Sequence, residues 1–406
     1  MNVNDGENAV IDDPTPPYMH NFKGWSESLL NITENKTIHA VYEWKLELFN
    51  TLEMSGKLFL SMKADYKDDQ DLKYVAIPSV INDKTVYAIN EEGFLSFKEI
   101  TKIVIPEGIV KIYEKAFYGC DNLQEVYIPK SVDEIREDAF VSLNSCYKFD
   151  VHPDNENYSA VGDALCDKDV TKLINYPRQK TITELVIPSN VTEIMKSAFH
   201  HNFHITKITL PANLQIIADE AFASSKITTI TIPGTVKEIG KDAFMSCNEL
   251  ETLILEEGVE SSDGSFRKCT KLTTVTLPKS FKQFFNVPFY GCSHLEEINV
   301  HQDNPNFTSI DGVLYSKDKT ILIKYPKGKQ GTDFTIPDTV TEILFHSFYN
   351  LLILENVIIP LNVTKIKGKA FQSERLSVYA RAASKPAGWN DEWCYNCLHF
   401  EFGYSG

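Results

Sequence analysis

One spacing recurs along most of this 406-residue chain: a proline that follows isoleucine or leucine, and a phenylalanine 11 residues after it. The prolines are Pro106, Pro129, Pro188, Pro211, Pro233, Pro278, Pro337 and Pro360, and the phenylalanines are Phe117, Phe140, Phe199, Phe222, Phe244, Phe289, Phe348 and Phe371. Neighbouring copies lie 22 or 23 residues apart, and a degenerate copy with Leu255-Glu256 and Phe266 fills one gap. A unit this short cannot bury its apolar side alone, so the copies must stack on one another.

Residues 227–250 show the pattern of one copy. The apolar positions are Ile227, Ile230, Ile232, Val236, Ile239, Ala243, Phe244, Cys247 and Leu250. This spacing predicts a strand that ends at Ile232, a turn at Pro233-Gly234, a second short strand from Val236 to Ile239, and a corner closed by Phe244. A period in the twenties with this L-x-x-I-x-I spacing is typical of a leucine-rich repeat solenoid.

We therefore predict a leucine-rich repeat solenoid dominated by strands, horseshoe-like with few short helices, over residues 44–406. Residues 44–102 would form an N-terminal cap and a looser first coil, 103–375 the regular coils, and 376–406 a C-terminal cap that carries Trp389 and Trp393. Caps are expected because the end coils would otherwise expose apolar side chains and unpaired strand backbone.

The chain contains an internal duplication with an offset of 149 residues, which relates Pro129 to Pro278 and Phe222 to Phe371. Each half carries an extra segment, residues 149–180 and 298–329. We expect each segment to form an Asx-type turn and a β-hairpin, with residues 313–315 and 321–323 as the strands of the second hairpin. The first segment has Gly162-Asp163 where the second has Asp311-Gly312, a reversal that could alter the turn.

The N-terminal residues 1–43 do not follow the repeat. Phe22-x-Gly24-Trp25 and Ile38-x-Ala40-x-Tyr42 resemble the later part of a Listeria-Bacteroides repeat, a small β-grasp-like module of bacterial surface proteins. We expect Trp25 and Tyr42 to be core residues of that module. Its opening strand is missing, so we expect residue 1 to lie inside a longer secreted chain, with the signal and anchor outside this sequence.

The net charge of −16 and the pI of about 5.1 argue against nucleic acid or an anionic membrane as the partner. No apolar run is long enough to span a bilayer. Cys120, Cys247, Cys269 and Cys292 each follow a corner phenylalanine by three residues, which is a packing position. We therefore expect buried free thiols rather than a disulfide framework.

Three groups of residues invite a metal or redox interpretation. His200, His201 and His204 lie just past a corner, where loop histidines are the simpler interpretation than a zinc site. Cys394-x-x-Cys397 with His399 lacks a second ligand pair, and a local disulfide and free thiols are left equally open. Asp303-Asn304, Asp311 and Asp318 lack a calcium-loop pattern and fit Asx turns. We predict no metal site and no cofactor.

The exposed sheet face is the predicted binding surface. In L-x-x-I-x-I strands, Ile230 and Ile232 point inward and the intervening residues point outward, in columns across the coils. The outward candidates are Thr206, Lys207, Thr209, Thr228, Thr229, Thr231, Thr252, Thr273, Thr274 and Thr276. Threonine is also a good exposed strand former, so this enrichment has a purely structural explanation as well. The functional hypothesis is that a rigid, hydroxyl-lined face binds an extended partner.

Three features together resemble the BspA-type leucine-rich repeat proteins over roughly residues 46–406. These are the copies I-x-I-P-x-x-V-x-x-I-x-x-x-A-F-x-x-C, the segment D-G-V-L-Y-S-K-D at 311–318, and the tail P-x-G-W-x-x-x-W at 386–393. The resemblance implies secreted or cell-surface proteins of bacteria and some protozoa, several of them adhesive, with no catalytic residues.

We therefore expect a non-catalytic adhesion module, extracellular or at the cell surface, whose partners are host or bacterial surface macromolecules, either protein or glycan. The alternative is a passive spacer or targeting region of a larger secreted bacterial enzyme. A metal-dependent enzyme that uses the His201 cluster is a third hypothesis. No G-x-S-x-G, Walker or G-x-G-x-x-G motif is present in the sequence.

Overall fold

The computed structural model describes residues 45–406 in full, and before them only the strands Asn2–Val3, His20–Trp25, Lys36–Thr37 and Ala40–Trp44. The chain divides into two compact units, residues 1–168 and 169–406. Both are β-solenoids, with about 14 turns in the described residues. Those residues contain no α-helix, only the 3₁₀ turns Leu46–Leu48 and Ala64–Tyr66. The predicted strand-dominated solenoid is confirmed.

Much of the predicted module at residues 1–43 lies outside the described residues, including the side chains of Trp25 and Tyr42. In the part that is described, His20–Trp25 pairs antiparallel with Ala40–Trp44, and Asn2–Val3 pairs with Lys36–Thr37. The resemblance to a Listeria-Bacteroides repeat stays a prediction, as do the predicted domain and cap boundaries.

The first unit contains two stacked sheets and a hairpin. One sheet has four parallel strands, Tyr74–Ala76, Lys102–Val104, Glu125–Ile128 and Lys148–Val151. The other has the strands Phe49–Met54, Lys57–Met62, Lys84–Ile89, Lys111–Ile112 and Glu134–Ile135, with Val80–Ile81 beside the third of these. The hairpin pairs Tyr158–Val161 with Ala164–Asp167. Each coil supplies one strand to each sheet, and its apolar side chains lie between the two.

The second unit repeats this arrangement with more coils. One sheet has the parallel strands Glu184–Val186, Lys207–Thr209, Thr229–Ile232, Thr252–Leu255, Thr274–Leu277 and Glu297–Val300. The facing strands are Lys172–Asn175, Glu193–Ile194, Ile216–Ile217, Glu238–Ile239, Ser261–Ser262 and Gln283–Phe284. After the second insert, one sheet contains the parallel strands Asp333–Thr335, Asn356–Ile359, Ser377–Ala380 and His399–Phe402. The facing sheet contains the strands Glu342–Ile343 and Lys365–Ile366. A third sheet joins Phe348–Tyr349, Phe371–Gln372 and Cys394–Tyr395.

Alternation along the strands separates core from surface, as predicted. Ile230 and Ile232 are fully buried, whereas Thr229, which precedes them on the same strand, is exposed. The same alternation appears in Thr252–Leu255 and Thr274–Leu277. Because the register pairs Ile230 with Leu253, and Leu253 with Val275, like residues stack from coil to coil. This stacking gives each coil the core that its own length cannot enclose.

The corner phenylalanines form ladders of stacked rings in both units. In the first unit Phe94, Phe117 and Phe140 stack at centroid distances of 5.2 and 5.4 Å. In the second unit the ladders are Tyr176, Phe199, Phe222, Phe244, Phe266 and Phe289, and then Tyr325, Phe348 and Phe371. The two tyrosines occupy equivalent positions in the two halves of the duplication. The repeat therefore places one aromatic ring at each corner.

The backbone at most corners is left-handed on both sides of the ring, a feature that the sequence pattern did not predict. Around Phe222, Glu220 and Ser224 have φ values of 55° and 58°. These turns aim alternate N–H groups at the next coil: Glu220 donates to Lys241, Phe222 to Ala243 and Ser224 to Met245, over 2.7 to 2.9 Å. Such conformations are uncommon for residues other than glycine. Hydrogen bonds to the neighbouring coil hold them in place.

The second insert is a three-stranded antiparallel meander rather than the predicted two-stranded hairpin. The predicted strands are present as Val313–Ser316 and Ile321–Lys324, and Phe307–Ile310 adds a third on the other side. The turns at Asp311-Gly312 and at Gly162-Asp163 both have two residues with positive φ. Both are thus compatible with the tight hairpin turn that needs this backbone. The reversed residue order keeps the same positive-φ turn.

A buried asparagine anchors each insert to the coil before it. Asn304 Nδ2 donates to the carbonyls of Pro278 and Phe281 over 2.8 and 2.9 Å, and Oδ1 accepts from the N–H groups of Asn306 and Phe307, each over 2.8 Å. Asn155 makes the equivalent four bonds in the first unit. The predicted Asx-type turn is confirmed in both copies.

The C-terminal segment continues the stack as well as covering it. Ser377–Ala380 and His399–Phe402 add two parallel strands to the sheet. Trp393 lies edge-on against Phe371 at a centroid distance of 5.7 Å. Trp389 is buried, and its indole N–H donates to the Val363 carbonyl over 3.0 Å. The two tryptophans thus close the apolar end of the last regular coil.

Candidate functional site

The predicted binding residues lie on the outward side of the six-stranded parallel sheet of the second unit, hereafter the threonine face. Its first column, in register from strand to strand, is Glu184, Lys207, Thr229, Thr252, Thr274 and Glu297. Its second column is Val186, Thr209, Thr231, Ile254, Thr276 and Asn299. In these two columns the three strands from Thr229–Ile232 to Thr274–Leu277 present only uncharged hydroxyl and methyl groups outward, whereas Glu251, exposed just before Thr252, is a charge near the centre of the face.

Exposure separates the predicted residues into two groups. Lys207, Thr209, Thr229, Thr252, Thr273, Thr274 and Thr276 are exposed, whereas Thr206, Thr228 and Thr231 are half-buried. Thr206 Oγ1 donates to the Thr183 carbonyl, and Thr228 Oγ1 donates to the Thr206 carbonyl, each over 3.2 Å. These two hydroxyls link one coil to the next, so their hydrogen atoms are not available to bind a partner. The exposed threonines remain available for a partner.

Two exposed apolar residues accompany the threonines. The side chain of Val186 is 72% exposed, and that of Ile254 is 48% exposed. Both lie in the second column of the threonine face. The face thus offers hydroxyl groups that donate and accept hydrogen bonds together with apolar contact area.

Burial keeps the His200 side chain of the histidine cluster neutral. The rings of His200 and His201 meet edge-on at 4.2 Å, and His200 Nδ1 lies 3.3 Å from a guanidinium nitrogen of Arg178. Burial, with a smaller contribution from His201 and then Arg178, lowers the pKa of His200 to about 3. The His204 N–H donates to Asn202 Oδ1 in a local turn. Across the described residues, no three or more His, Cys, Asp or Glu side chains are arranged to hold a metal ion.

The cysteines divide as the sequence suggested. Cys120, Cys146, Cys166, Cys247, Cys269 and Cys292 are buried free thiols. The repeat positions have a common role: Cys247 Sγ donates to the Phe222 carbonyl over 3.1 Å, and Cys269 donates to the Phe244 carbonyl over 3.2 Å. The expectation of buried thiols is confirmed for the four repeat cysteines. Cys394 and Cys397, which the sequence left open, form a disulfide.

The acidic turns use their carboxylates locally. Asp318 accepts hydrogen bonds from Ser316 Oγ over 2.6 Å and from Thr320, through its N–H over 3.1 Å and its Oγ1 over 2.8 Å. These bonds hold the pKa of the Asp318 carboxyl below its usual value. Asp311 occupies the tight turn of the second insert. An Asx-type turn accounts for the Asp318 side chain.

A second candidate surface, which the sequence analysis missed, is a groove of about 480 Å³ beside the second insert. Its lining is Gln283, Phe284, Phe285, Asn286, Val287, Pro288, Phe307, Ile323, Leu344, Phe345 and Lys367. An adjoining recess of about 300 Å³ is lined by Arg267, Asn286, Val287, Tyr290, Phe345 and His346. We call the two together the aromatic groove.

Aromatic rings also pack at the recess end of this groove. Phe345 stacks on His346 at 3.8 Å, and Tyr290 and Tyr349 lie 4.6 Å apart. The Arg267 guanidinium lies 5.7 Å from the Tyr290 ring centre. Burial, together with Lys324 and Lys369, lowers the pKa of His346 to about 4, so its ring is neutral at physiological pH. The recess thus combines aromatic surface with nearby cations.

The groove could not be read from the repeat pattern because its two walls are distant in sequence. Residues 283–290 form one wall and residues 344–346 the other, with the second insert between them in the chain. The available signal was the comparison of the duplicated halves: Phe285 and Phe345 correspond to Arg136 and Lys196. Apolar residues that replace charged ones at equivalent positions indicate a surface with a different use.

Comparison with known proteins places the chain in a family. A model described as the BspA type leucine rich repeat region matches six copies, over residues 68–181, 175–296 and 327–380. That match covers more than half of the chain and does not extend to residues 1–43. No curated protein matches the chain. Within the described residues, no helix is long and apolar enough to cross a membrane.

Solved structures resemble the chain at low sequence identity. A leucine-rich repeat protein from Eubacterium ventriosum is 20% identical, with a TM-score of 0.52, over 85% of this chain and 97% of that one. The pneumococcal vaccine antigen PcpA is 19% identical, with a TM-score of 0.40, over 87% of this chain and 76% of that one. A leucine rich cell surface protein from Faecalibacterium prausnitzii is 18% identical, with a TM-score of 0.38, over 88% and 94%.

The matched repeats, the stacked coils and the corner aromatic ladders all describe the same architecture. The chain belongs to the BspA-type leucine-rich repeat family.

Proposed function

We propose that this protein is a non-catalytic binding module, extracellular or at the cell surface, that holds an extended protein or glycan partner on its threonine face. One observation carries the proposal: Thr229, Thr252 and Thr274 lie in register on adjacent strands, all three exposed, with their neighbours in the strand buried. A row of identical exposed groups on a rigid sheet is suited to a partner that is itself extended and repetitive.

The dimensions of the face suit such a partner. Adjacent strands are about 4.8 Å apart, so six strands present a surface about 24 Å long. Each threonine supplies one hydroxyl that can both donate and accept, and one methyl group for apolar contact. Val186 and Ile254 add apolar area beside the hydroxyl row. A partner that crosses the strands would meet a threonine hydroxyl on each of the four central strands.

The charge distribution also bears on the proposal. The chain carries a net charge of −16, yet the central positions of the two columns are uncharged, and the nearby Glu251 lies 3.8 Å from Lys271. Charged groups occur at its ends, where Lys207 Nζ lies 3.9 Å from a Glu184 carboxylate oxygen. Binding at the centre would therefore rely on short-range hydrogen bonds and apolar contact. We expect an affinity that changes little with salt concentration.

The test is a face variant with Thr229→Lys, Thr252→Lys and Thr274→Lys, used in pull-downs with host extracellular-matrix proteins and bacterial surface polymers. A matched control carries Gln215→Lys, Thr339→Lys and Thr364→Lys, three exposed positions elsewhere in the second unit. The unaltered chain and the control should capture the same partner, and the face variant should lose it.

Two results would count against the proposal. Equal capture by the face variant would place binding elsewhere. Capture of nothing from the panel by the unaltered chain would favour the passive spacer, for which the threonines are only good strand formers.

A further inference from the structure

We propose that the aromatic groove docks an extended acidic peptide of a partner protein, with one aromatic or aliphatic side chain of that peptide inserted between Phe285 and Phe345. The groove is lined by residues of the strand Gln283–Phe284, the insert and the coil at 344–346. None of these belongs to the threonine face, so this inference does not rest on the function proposed above.

The first argument is the exposure of large apolar side chains that the fold does not require. Phe285 is 52% exposed and Phe345 is 44% exposed. At the equivalent positions in the first half of the duplication the chain has Arg136 and Lys196. A coil of this type is therefore built equally well with charged residues at both places. Exposed apolar side chains that line a concave surface are typical of a binding site.

The second argument is a buried cation beside the groove. Lys324 is almost fully buried, and its Nζ donates to the main-chain carbonyl of His346 over 2.9 Å. No carboxylate pairs with it among the residues that the structure describes. The first half of the duplication has Asn175 at the equivalent position. A buried cation without a counter-charge is costly. Lys324 is not itself part of the lining, so an acidic group bound in the recess would offset that cost through space, across the His346 backbone.

The third argument is the charge of the lining itself. Among the lining residues, Arg267 and Lys367 are cations and none is a carboxylate. Each cation forms an ion pair with one carboxylate: Arg267 with Asp242 at 3.2 Å, and Lys367 with Glu342 at 3.5 Å. The lining therefore presents two cations and no carboxylate of its own, in a chain that is acidic as a whole. Charge complementarity favours an anionic partner.

The composition favours a peptide over a sugar polymer. The neutral polar side chains of the lining are Gln283, Asn286, Tyr290 and His346, and the Asn286 amide already donates to the Asp263 carboxylate. Few groups are thus left for the many hydroxyls of a glycan. An apolar slot beside cations instead matches an anchor side chain flanked by aspartate or glutamate.

The test is selection of a phage-displayed library of random heptapeptides on the full chain. It is run in parallel on a Phe285→Ala/Phe345→Ala double variant, which removes the apolar slot and leaves the charge of the groove unchanged. The control is Leu352→Ala/Leu361→Ala, two exposed leucines outside the groove. Thermal melting of all three proteins checks that each is folded.

Peptides enriched on the unaltered chain and on the control should contain an aromatic residue or leucine flanked by Asp or Glu. A synthetic peptide of that consensus should bind the double variant at least tenfold more weakly. The proposal is overturned if the same peptides are enriched on the double variant, if no peptide is enriched, or if the groove variants change only the binding of neutral oligosaccharides on a glycan array.

A second pair of variants tests the charge argument. Lys324→Asn and Arg267→Gln should each weaken the acidic consensus peptide severalfold. They should leave unchanged the affinity of an analogue whose acidic residues are replaced by Asn and Gln. Equal losses for both peptides would show that the cations act only on packing, and would contradict the charge-based part of the proposal.

Discussion

Phe222 and Phe244 occupy the same corner of successive coils, with ring centroids 4.9 Å apart and planes within 6° of parallel. Both rings are fully buried. Their backbones are joined as well, since the Phe222 N–H donates to the Ala243 carbonyl over 2.7 Å. Ring stacking and main-chain pairing thus fix the same interface between coils. Each coil is stabilised mainly by its two neighbours.

Removing one ring should break this ladder locally. We expect Phe222→Ala to lower the free energy of unfolding by about 3 to 5 kcal/mol, because it leaves a cavity between two rings that cannot move together. Phe222→Leu, which fills more of the space, should cost clearly less. Urea unfolding followed by circular dichroism measures both. Equal losses of unfolding free energy for the two variants would show that the site tolerates a void. Ring stacking would then contribute little to stability.

The insert asparagines should be as sensitive as core residues. Asn304→Ala leaves two carbonyls and two N–H groups without their side-chain partner, and we expect a loss of about 2 to 4 kcal/mol. Gln302→Ala, an exposed change in the same turn, should stay within about 0.5 kcal/mol of the unaltered protein. The comparison is made by chemical unfolding. A small effect of Asn304→Ala would mean that solvent replaces these bonds.

The thiols should be protected by the fold. Burial raises the pKa of Cys120, Cys166 and Cys247 to about 12, so these thiols are neither charged nor accessible at pH 8. We expect no reaction of the native protein with a thiol reagent. Denatured protein should show six reactive thiols without reductant and all eight cysteines after reduction. Eight reactive thiols before reduction would contradict the disulfide between Cys394 and Cys397.

The buried Lys324 predicts a specific pH dependence. Burial lowers its pKa from 10.5 to about 8. Between these values the unfolded chain binds more protons than the folded one, so the free energy of unfolding rises with pH across this window. Below pH 8 the cost of burying the charge is fully present. We therefore expect Lys324→Met to be more stable than the unaltered protein at pH 7.

The stability advantage of Lys324→Met should shrink between pH 8 and pH 10.5, and unfolding titrations across that window measure it. Other groups that titrate there, such as tyrosines, contribute equally to both proteins and cancel in the difference. Parallel pH curves for the two proteins would show that Lys324 is not held charged in a buried site.

The features that repeat were readable from the sequence. Ile230, Phe244 and Cys247 each belong to a column of like residues, so the solenoid period assigns their environment without coordinates. Asn304 was readable as an Asx turn because its polar neighbours precede a strand. In each case a local or periodic signal was sufficient.

The features that depend on singular contacts were not readable. The aromatic groove needs residues 285 and 345 to meet across an insert, which no period predicts. The left-handed corners carry residues such as Glu220 and Ser224, which give no glycine signal. Seven of the ten outward candidates are exposed, whereas Thr206, Thr228 and Thr231 are half-buried, and the hydroxyls of Thr206 and Thr228 donate to the preceding coil. Whether the others bind a partner remains the proposal to test.

The most direct test of the stacked-coil account compares the same charge at two adjacent positions. Ile230 points into the core and Thr229 points to solvent on the same strand. Thermal melting by circular dichroism should show that Ile230→Asp loses several kcal/mol of stability or fails to fold, since a buried unpaired charge is costly. Thr229→Asp should melt close to the unaltered protein. Indistinguishable melting curves for the two variants would contradict the account.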